Sequence, residues 1–215
     1  MRHDFPLGAA LWARYGPDMF KYRFPYARPG ARIGLLGGSF DPPHAGHDLI
    51  SQTALRAFGL DAIWWLVAPA NPLKDNPPAD LRARLSAAKS IVTGSRIQPF
   101  AIEADLGTRY TADTLHAMQR LYPAAQFIWL MGGDNMLQFH HWDRWQQIAH
   151  SAPIGVIARP QARARIAFAP AARALQGARR YDLRALVGGP LPAWGVATGP
   201  LSAESSTRIR GQGLW

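Results

Sequence analysis

At 215 residues with 48% hydrophobic content, the chain is long enough to bury a sizeable core, and one domain is expected. The absence of cysteine excludes a disulfide framework, a thiolate metal site and a cysteine nucleophile together, and it fits a reducing compartment. The net charge of +10 is carried almost wholly by arginine, with lysine only at Lys21, Lys74 and Lys89. It implies an anionic partner (phosphates, nucleic acid or an acidic membrane face) or a solvated Arg/Ala-rich surface.

No run approaches the ~20 apolar residues of a membrane span. Leu7–Trp12 is cut short by Arg14, so it does not read as a signal-peptide core. A soluble, cytoplasmic protein without a membrane partner is expected. Residues 1–30 form an N-terminal extension ahead of residues 31–215, which read as a single domain. The extension holds Trp12, Tyr15, Phe20, Tyr22, Phe24 and Tyr26 among basic residues and prolines. That many aromatics argue against a disordered tail and for packing on the body or on a second subunit. Neither its role nor the oligomeric state is readable.

From residue 32 onward strand-like and helix-like segments alternate. Arg32–Leu36 is a predicted strand and His47–Phe58 a predicted helix stopped by Gly59; Ala62–Ala68 reads as a fully buried strand. Pro69–Ala79 is a proline-rich loop, Asp80–Thr93 a helix and Arg96–Ile102 a third strand. Thr111–Leu121 is a helix with Leu115, Met118 and Leu121 on one face, and Phe127–Met131 another strand. Asp134–Ala149 carries one or two short helices, Ile154–Ala158 is a strand, and Trp194–Ala197 the last. From Arg159 to Arg184 the pattern is weak, and Arg163, Arg165, Arg173, Arg179, Arg180 and Arg184 read as surface charge. Continuous apolar strands alternating with amphipathic helices imply an α/β fold, its mostly parallel sheet covered on both faces.

The chemistry concentrates after the first strand, in Gly37-Gly38-Ser39-Phe40-Asp41-Pro42-Pro43-His44-Ala45-Gly46-His47. The glycines let backbone N–H groups approach phosphate oxygens, and the new helix offers its positive end. His44 and His47, three residues apart, point the same way from a first helical turn. That layout suits a nucleoside triphosphate. Ligands of doubly wound sheets sit outside the carboxyl ends of the strands. Lys74 in the loop after the second strand, Asp134 behind Gly132-Gly133, and the hydroxyl-rich Ser205-Ser206-Thr207 are then expected in one crevice with the histidines.

Gly37–His47 resembles the signature of the HxGH nucleotidyltransferases, and Ser205–Arg210 resembles their C-terminal Ser-Ser-Thr-x-Ile-Arg motif. Within that superfamily the chain is most similar to the bacterial nicotinate-nucleotide adenylyltransferases. Three further stretches carry this likeness: Asn71-Pro72-Leu73-Lys74, Tyr110-Thr111-Ala112-Asp113-Thr114-Leu115, and Gly132-Gly133-Asp134 followed by Phe139-His140-His141-Trp142. The resemblance runs from about Arg32 to Arg210 in family order.

It implies a three-layer Rossmann-like nucleotidyltransferase fold and adenylyl transfer from ATP to nicotinate mononucleotide, with pyrophosphate leaving. Such transfer needs positioning and charge stabilisation more than a protein nucleophile. By resemblance His44, His47, Lys74 and Arg210 are catalytic. Gly37, Gly38, Ser39, Phe40, Asp41, Gly46, Ser205, Ser206 and Thr207 would bind ATP. Trp142 would lie against the pyridine ring, with backbone N–H groups near Thr111 and Asp143 meeting its carboxylate and Tyr110 alongside. Asp134 would face ribose hydroxyls and Arg159 the mononucleotide phosphate. Mg2+ would be carried by the triphosphate rather than by a protein cage.

Glu204 departs from the family pattern, which has an apolar residue there, and the terminal helix is expected to be short. Other readings stand beside these. Nicotinamide mononucleotide is the alternative acceptor, alone or with the acid. Trp142 and Trp145 also fit core aromatics at helical spacing, and Thr111 and Asp113 also fit a helix cap. His140 and His141 are expected to point apart on a helix. A basic nucleic-acid-binding protein is the rival of another class, although no nucleic-acid partner is expected.

Overall fold

The computed structural model of the protein describes residues 24–69, 78–199, 206–213 and 215. Lys74, Ser205, Glu204, the Asn71–Lys74 motif and most of the N-terminal extension lie outside them. Six strands form one sheet in the order β3-β2-β1-β4-β5-β6, and every neighbouring pair is parallel. The strands are β1 (Arg32–Gly38), β2 (Ala62–Val67), β3 (Ile97–Phe100), β4 (Gln126–Gly132), β5 (Ile154–Ala158) and β6 (Trp194–Thr198). This is the doubly wound α/β order, and its topological switch lies between β1 and β4.

The strands are almost continuously apolar because both faces are covered. On β2, Ile63, Trp65 and Val67 join one core cluster, while Trp64 and Leu66 join the other. The first face is covered by α1 (Ala45–Ala57) and α2 (Leu81–Ile91). The second is covered by α3 (Ile102–Leu106), α4 (Thr111–Leu121), α5 (Gly133–Gln138), α6 (Trp145–Ser151), α7 (Arg163–Ala167) and α8 (Pro170–Ala174). A last short helix, α9 (Ser206–Gly211), ends near residue 211.

The weak pattern over residues 159–184 resolves into five-residue helices, each too short to show a helical period. The expected third strand is shorter than its apolar run. Pairing stops at Phe100, and Ile102 turns its buried side chain into α3. Phe24 is buried in the second core cluster, and Tyr122 Oη donates to the Pro25 carbonyl at 2.8 Å. Residues 24–30 therefore pack on the body of the fold.

Candidate active site

The switch point sets the crevice. The chain leaves β1 at Gly38 and β4 at Gly132 at the same, carboxyl end of the sheet; the histidines stand at the head of α1, and Asp134 lies in the first turn of α5. Gly37 owes its identity to packing: a Cβ there would meet the Trp129 ring at 2.6 Å. Phe40 takes φ 47°, a left-handed backbone unusual for an aromatic residue, and its ring is buried against Trp65 at 4.9 Å. Its side chain is thus a support under the turn, leaving only its backbone to face a ligand.

α1 begins at Ala45, two residues before the expected start, because His44 is its N-cap. His44 Nδ1 accepts the Gly46 N–H at 3.2 Å, and His47 Nδ1 accepts the His44 N–H at 3.2 Å, a capping box built from imidazoles. With each Nδ1 accepting, the proton of each neutral ring sits on Nε2. The rings lie 3.9 Å apart, and His47 also contacts Phe40 at 4.8 Å and Trp65 at 5.9 Å. Burial, and then the neighbouring His44, push the His47 pKa down to about 3, against the opposing backbone hydrogen bond. The pair is a neutral donor set aimed by backbone. Ser51 fixes it from below: its hydroxyl donates to the His47 carbonyl at 2.9 Å and accepts the Trp65 indole N–H at 2.8 Å.

α9 docks on the same turn. Ser206 Oγ donates to the Pro42 carbonyl at 2.8 Å. Arg210 donates to the Asp41 carbonyl, and its guanidinium lies 3.7 Å from the Asp41 carboxylate. The C-terminal motif and the HxGH turn therefore meet, as expected. Asp41 is the hub of this meeting, since its Oδ1 also accepts the Ala79 N–H at 3.3 Å and the Trp215 indole N–H at 2.8 Å. These two donors fix Oδ1 and with it the turn that carries the histidines. Trp215 left no mark in the sequence beyond its residue type.

Arg84 escaped the sequence reading altogether. It is 1% exposed on α2 and its guanidinium is satisfied by carbonyls alone: Ala79 at 2.7 Å, Ser39 at 2.6 Å, Ala68 at 2.7 Å and Pro69 at 3.1 Å. Burial pulls its pKa below the ordinary guanidinium range, with Asp41 and Asp80 opposing. A retained positive charge thus lies directly behind the glycine turn. Pro69 and Ala79 flank the Asn71–Lys74 motif, so one side chain ties both flanks of that loop to Ser39.

Across the crevice, α4 starts after Tyr110, which caps with its backbone only; Thr111 is the first helical residue rather than the cap. Arg144, at φ 50°, forks onto Asp113 at 2.8 and 2.7 Å and also donates to Asp143 at 2.5 Å. These hydrogen bonds hold its pKa above the ordinary range. Its guanidinium lies 6.0 Å from the Tyr110 ring centroid, and that of Arg109 lies 5.8 Å away. Arg144 therefore straps the Trp142–Asp143 segment to the head of α4. Trp142 is half-buried, edge-on to Phe139 at 5.4 Å and to Trp129 at 6.3 Å. Asp134 and Arg159 are exposed at the ends of β4 and β5. His140 and His141 do not point apart; in a short 3-10 turn their ring centroids lie 3.8 Å apart with the planes tilted by 41°.

Behind α4, Glu103 is buried and its carboxyl is pushed up to about 7, chiefly by desolvation, although Thr114 Oγ1 hydrogen-bonds it at 3.1 Å. The folded chain holds this proton up to about pH 7, whereas an ordinary carboxyl releases it near 4.5, so stability falls as pH rises through that window. His47 has the opposite sign. Neutral in the fold, it loses stability as pH falls from 6.5 toward 3. Glu103→Gln is expected to remove the alkaline loss, so urea unfolding should show its stability relative to the parent rising between pH 5 and 7.5 by up to about 1.4 kcal/mol per pH unit. A difference constant with pH would place the Glu103 pKa near its ordinary value.

Among the described residues no group of three or more His, Asp or Glu side chains is placed to hold a metal ion, and no helix is long and apolar enough to cross a membrane. Residues 35–212 match the cytidylyltransferase-like family. A Ruegeria pomeroyi protein named "Probable nicotinate-nucleotide adenylyltransferase" is 51% identical over 194 residues, covering 89% of this chain and 91% of its own length. A Bradyrhizobium protein of the same name is 46% identical over 188 residues, covering 86% and 98%. In fold, the chain is similar to Plasmodium falciparum nicotinic acid mononucleotide adenylyltransferase complexed with NaAD, with a TM-score of 0.65 at 18% identity over 84% of this chain and 83% of that one. With its switch-point crevice and paired histidines, this chain belongs to the cytidylyltransferase-like superfamily and, within it, to the nicotinate-nucleotide adenylyltransferase family.

Proposed function

We propose that the protein transfers the adenylyl group of ATP to nicotinate mononucleotide. A phosphate oxygen of the mononucleotide attacks the α-phosphorus, the bond from that phosphorus to the bridging oxygen of the β-phosphate breaks, and pyrophosphate leaves with the electron pair. The observation that carries this reading is the backbone-fixed His44/His47 pair at the mouth of β1. Two preorganised Nε2–H donors suit the charge that builds on the transferring phosphate, and they need no reorganisation at the moment of reaction. Arg210, docked on Asp41, supplies a guanidinium beside the same turn for the departing oxygens. Lys74 is proposed for the phosphates as a mobile charge. A magnesium ion fits best as a passenger on the triphosphate, where it would neutralise phosphate charge.

The α4 side suits the second substrate. Trp142 offers a half-buried indole for a flat ring, and the uncapped head of α4 and the Asp143 backbone offer N–H groups for a ring carboxylate. Asp134 is proposed for ribose hydroxyls and Arg159 for the mononucleotide phosphate. Incubation with ATP, Mg2+ and either nicotinate or nicotinamide mononucleotide, scored by pyrophosphate release, tests this. Faster turnover of the acid is expected; preference for the amide overturns the acceptor, and silence with both overturns the activity.

The strap makes a separate prediction. Arg144→Gln is expected to raise KM for nicotinate mononucleotide about tenfold while leaving KM for ATP within about twofold. Its stability change should stay within about 1 kcal/mol, because the ion pairs are exposed. Equal shifts in both KM values would deny it a role confined to the second substrate.

A further inference from the structure

Residues 163–184 hold six arginines and a single acid, Asp182. That carboxylate is engaged, accepting the N–H groups of Arg184 and Ala185 at 3.1 and 3.3 Å. Arg179 lies over the Tyr181 ring at 5.2 Å and over the Trp194 ring at 5.3 Å. A guanidinium that stacks through its faces keeps its in-plane N–H edges as donors. Among the described residues no carboxylate lies within ion-pair distance of Arg173 or Arg179. Together they frame a cavity of about 390 Å³ whose wall includes Phe168, Gln176 and Trp194. The Trp194 N–H is spent on the Leu175 carbonyl at 2.8 Å, and this indole, 2% exposed beneath Arg179, forms only the apolar floor of the cavity. Phe168 is 76% exposed on the rim and Tyr181 is 81% exposed beside Arg179.

We propose that this cavity binds a planar aromatic anion, a ring bearing a phosphate or carboxylate group, as a second site apart from the catalytic crevice. The anion meets the edges of Arg173 and Arg179, and the ring lies among Phe168, Trp194 and the Gln176 amide. The volume is that of a small-ligand pocket, roughly 300–1,000 Å³. The separation follows from topology: Trp194 begins β6, the crevice lies beyond Thr198 at its other end, and four strand residues span about 13 Å. A second copy is a poor occupant, since two-fold pairing would set one arginine-rich face against another. Residues 1–23 are poor occupants too, with Asp4 and Asp18 outweighed by Arg2, Arg14, Lys21 and Arg23. The inference does not rest on the adenylyl-transfer reading.

The test is calorimetric titration of the full-length protein with phenyl phosphate, alongside inorganic phosphate and phenol. Phenyl phosphate should bind the parent and a His44→Ala/His47→Ala variant alike. Arg173→Glu/Arg179→Glu should weaken it by about tenfold or more, with adenylyl transfer kept within about twofold. Inorganic phosphate and phenol should each bind more weakly than the joined molecule, and Phe168→Ala should narrow that gap. If the doubly reversed variant does not fold, Arg173→Gln/Arg179→Gln should show the same loss. Binding lost on removing the histidines but kept in the arginine variants would put the probe in the crevice and overturn the proposal. So would the absence of heat from the parent up to about 10 mM phenyl phosphate, or self-association that the arginine variants abolish.

Discussion

Replacing His47 with alanine is expected to lower kcat/KM for adenylyl transfer by roughly 10²–10³-fold, the range for removing one preorganised donor from developing negative charge. His47 does two jobs that a single substitution confounds. Its Nδ1 accepts the His44 N–H and closes the capping box of α1, and its Nε2 carries the donor. His47→Ala loses both, so about 1 kcal/mol of stability should go with the rate. His47→Asn separates them, because the amide oxygen can still accept the His44 N–H while no donor reaches as far as Nε2. The asparagine variant should recover the stability in urea unfolding and stay slow in single-turnover assays. The rate should also show no acid limb near 6.5 from this group, since burial keeps the ring neutral down to about pH 3. An asparagine variant as fast as the parent would move the donor role to another residue.

Strands and the first motif were legible because their causes are local. A parallel strand covered on both faces must be apolar throughout, and β1, β2, β4 and β5 announced themselves that way. The meeting of α9 with the HxGH turn was legible too, through the carboxyl-end rule for doubly wound sheets and the family likeness. What stayed hidden depends on contacts far apart in the chain. Phe40 was expected beside ATP, but no local signal showed that its left-handed backbone turns the ring onto Trp65 and leaves the backbone for a ligand. Arg144 carried no signal in the sequence, and only the fold brings Asp113 to its fork. Residues 163–174 hid their helices because five residues are too few to show a period.

Arg84 is the hidden residue with the largest expected effect, and its signal was present: with Leu81, Leu85 and Ala88 it falls on the apolar stripe of α2, where a solvated arginine does not belong. Arg84→Met is expected to cost roughly 3–5 kcal/mol of stability in urea unfolding, the order expected when several buried neutral acceptors lose their donor together. The methionine fills much of the volume but leaves the Ser39, Ala68, Pro69 and Ala79 carbonyls without this donor, and each buried orphan costs about 1–3 kcal/mol. Arg84→Lys keeps the charge with three donors instead of five, so it should recover part of the loss. The same guanidinium sets the Ser39 carbonyl at the glycine turn and both flanks of the Asn71–Lys74 loop. The lysine variant should therefore show a raised KM for ATP even at temperatures where it is fully folded, with KM for the mononucleotide little changed. A methionine variant that loses less than about 1 kcal/mol would mean that water or a shifted turn satisfies those carbonyls equally well, and that Arg84 is not what holds the phosphate turn in place.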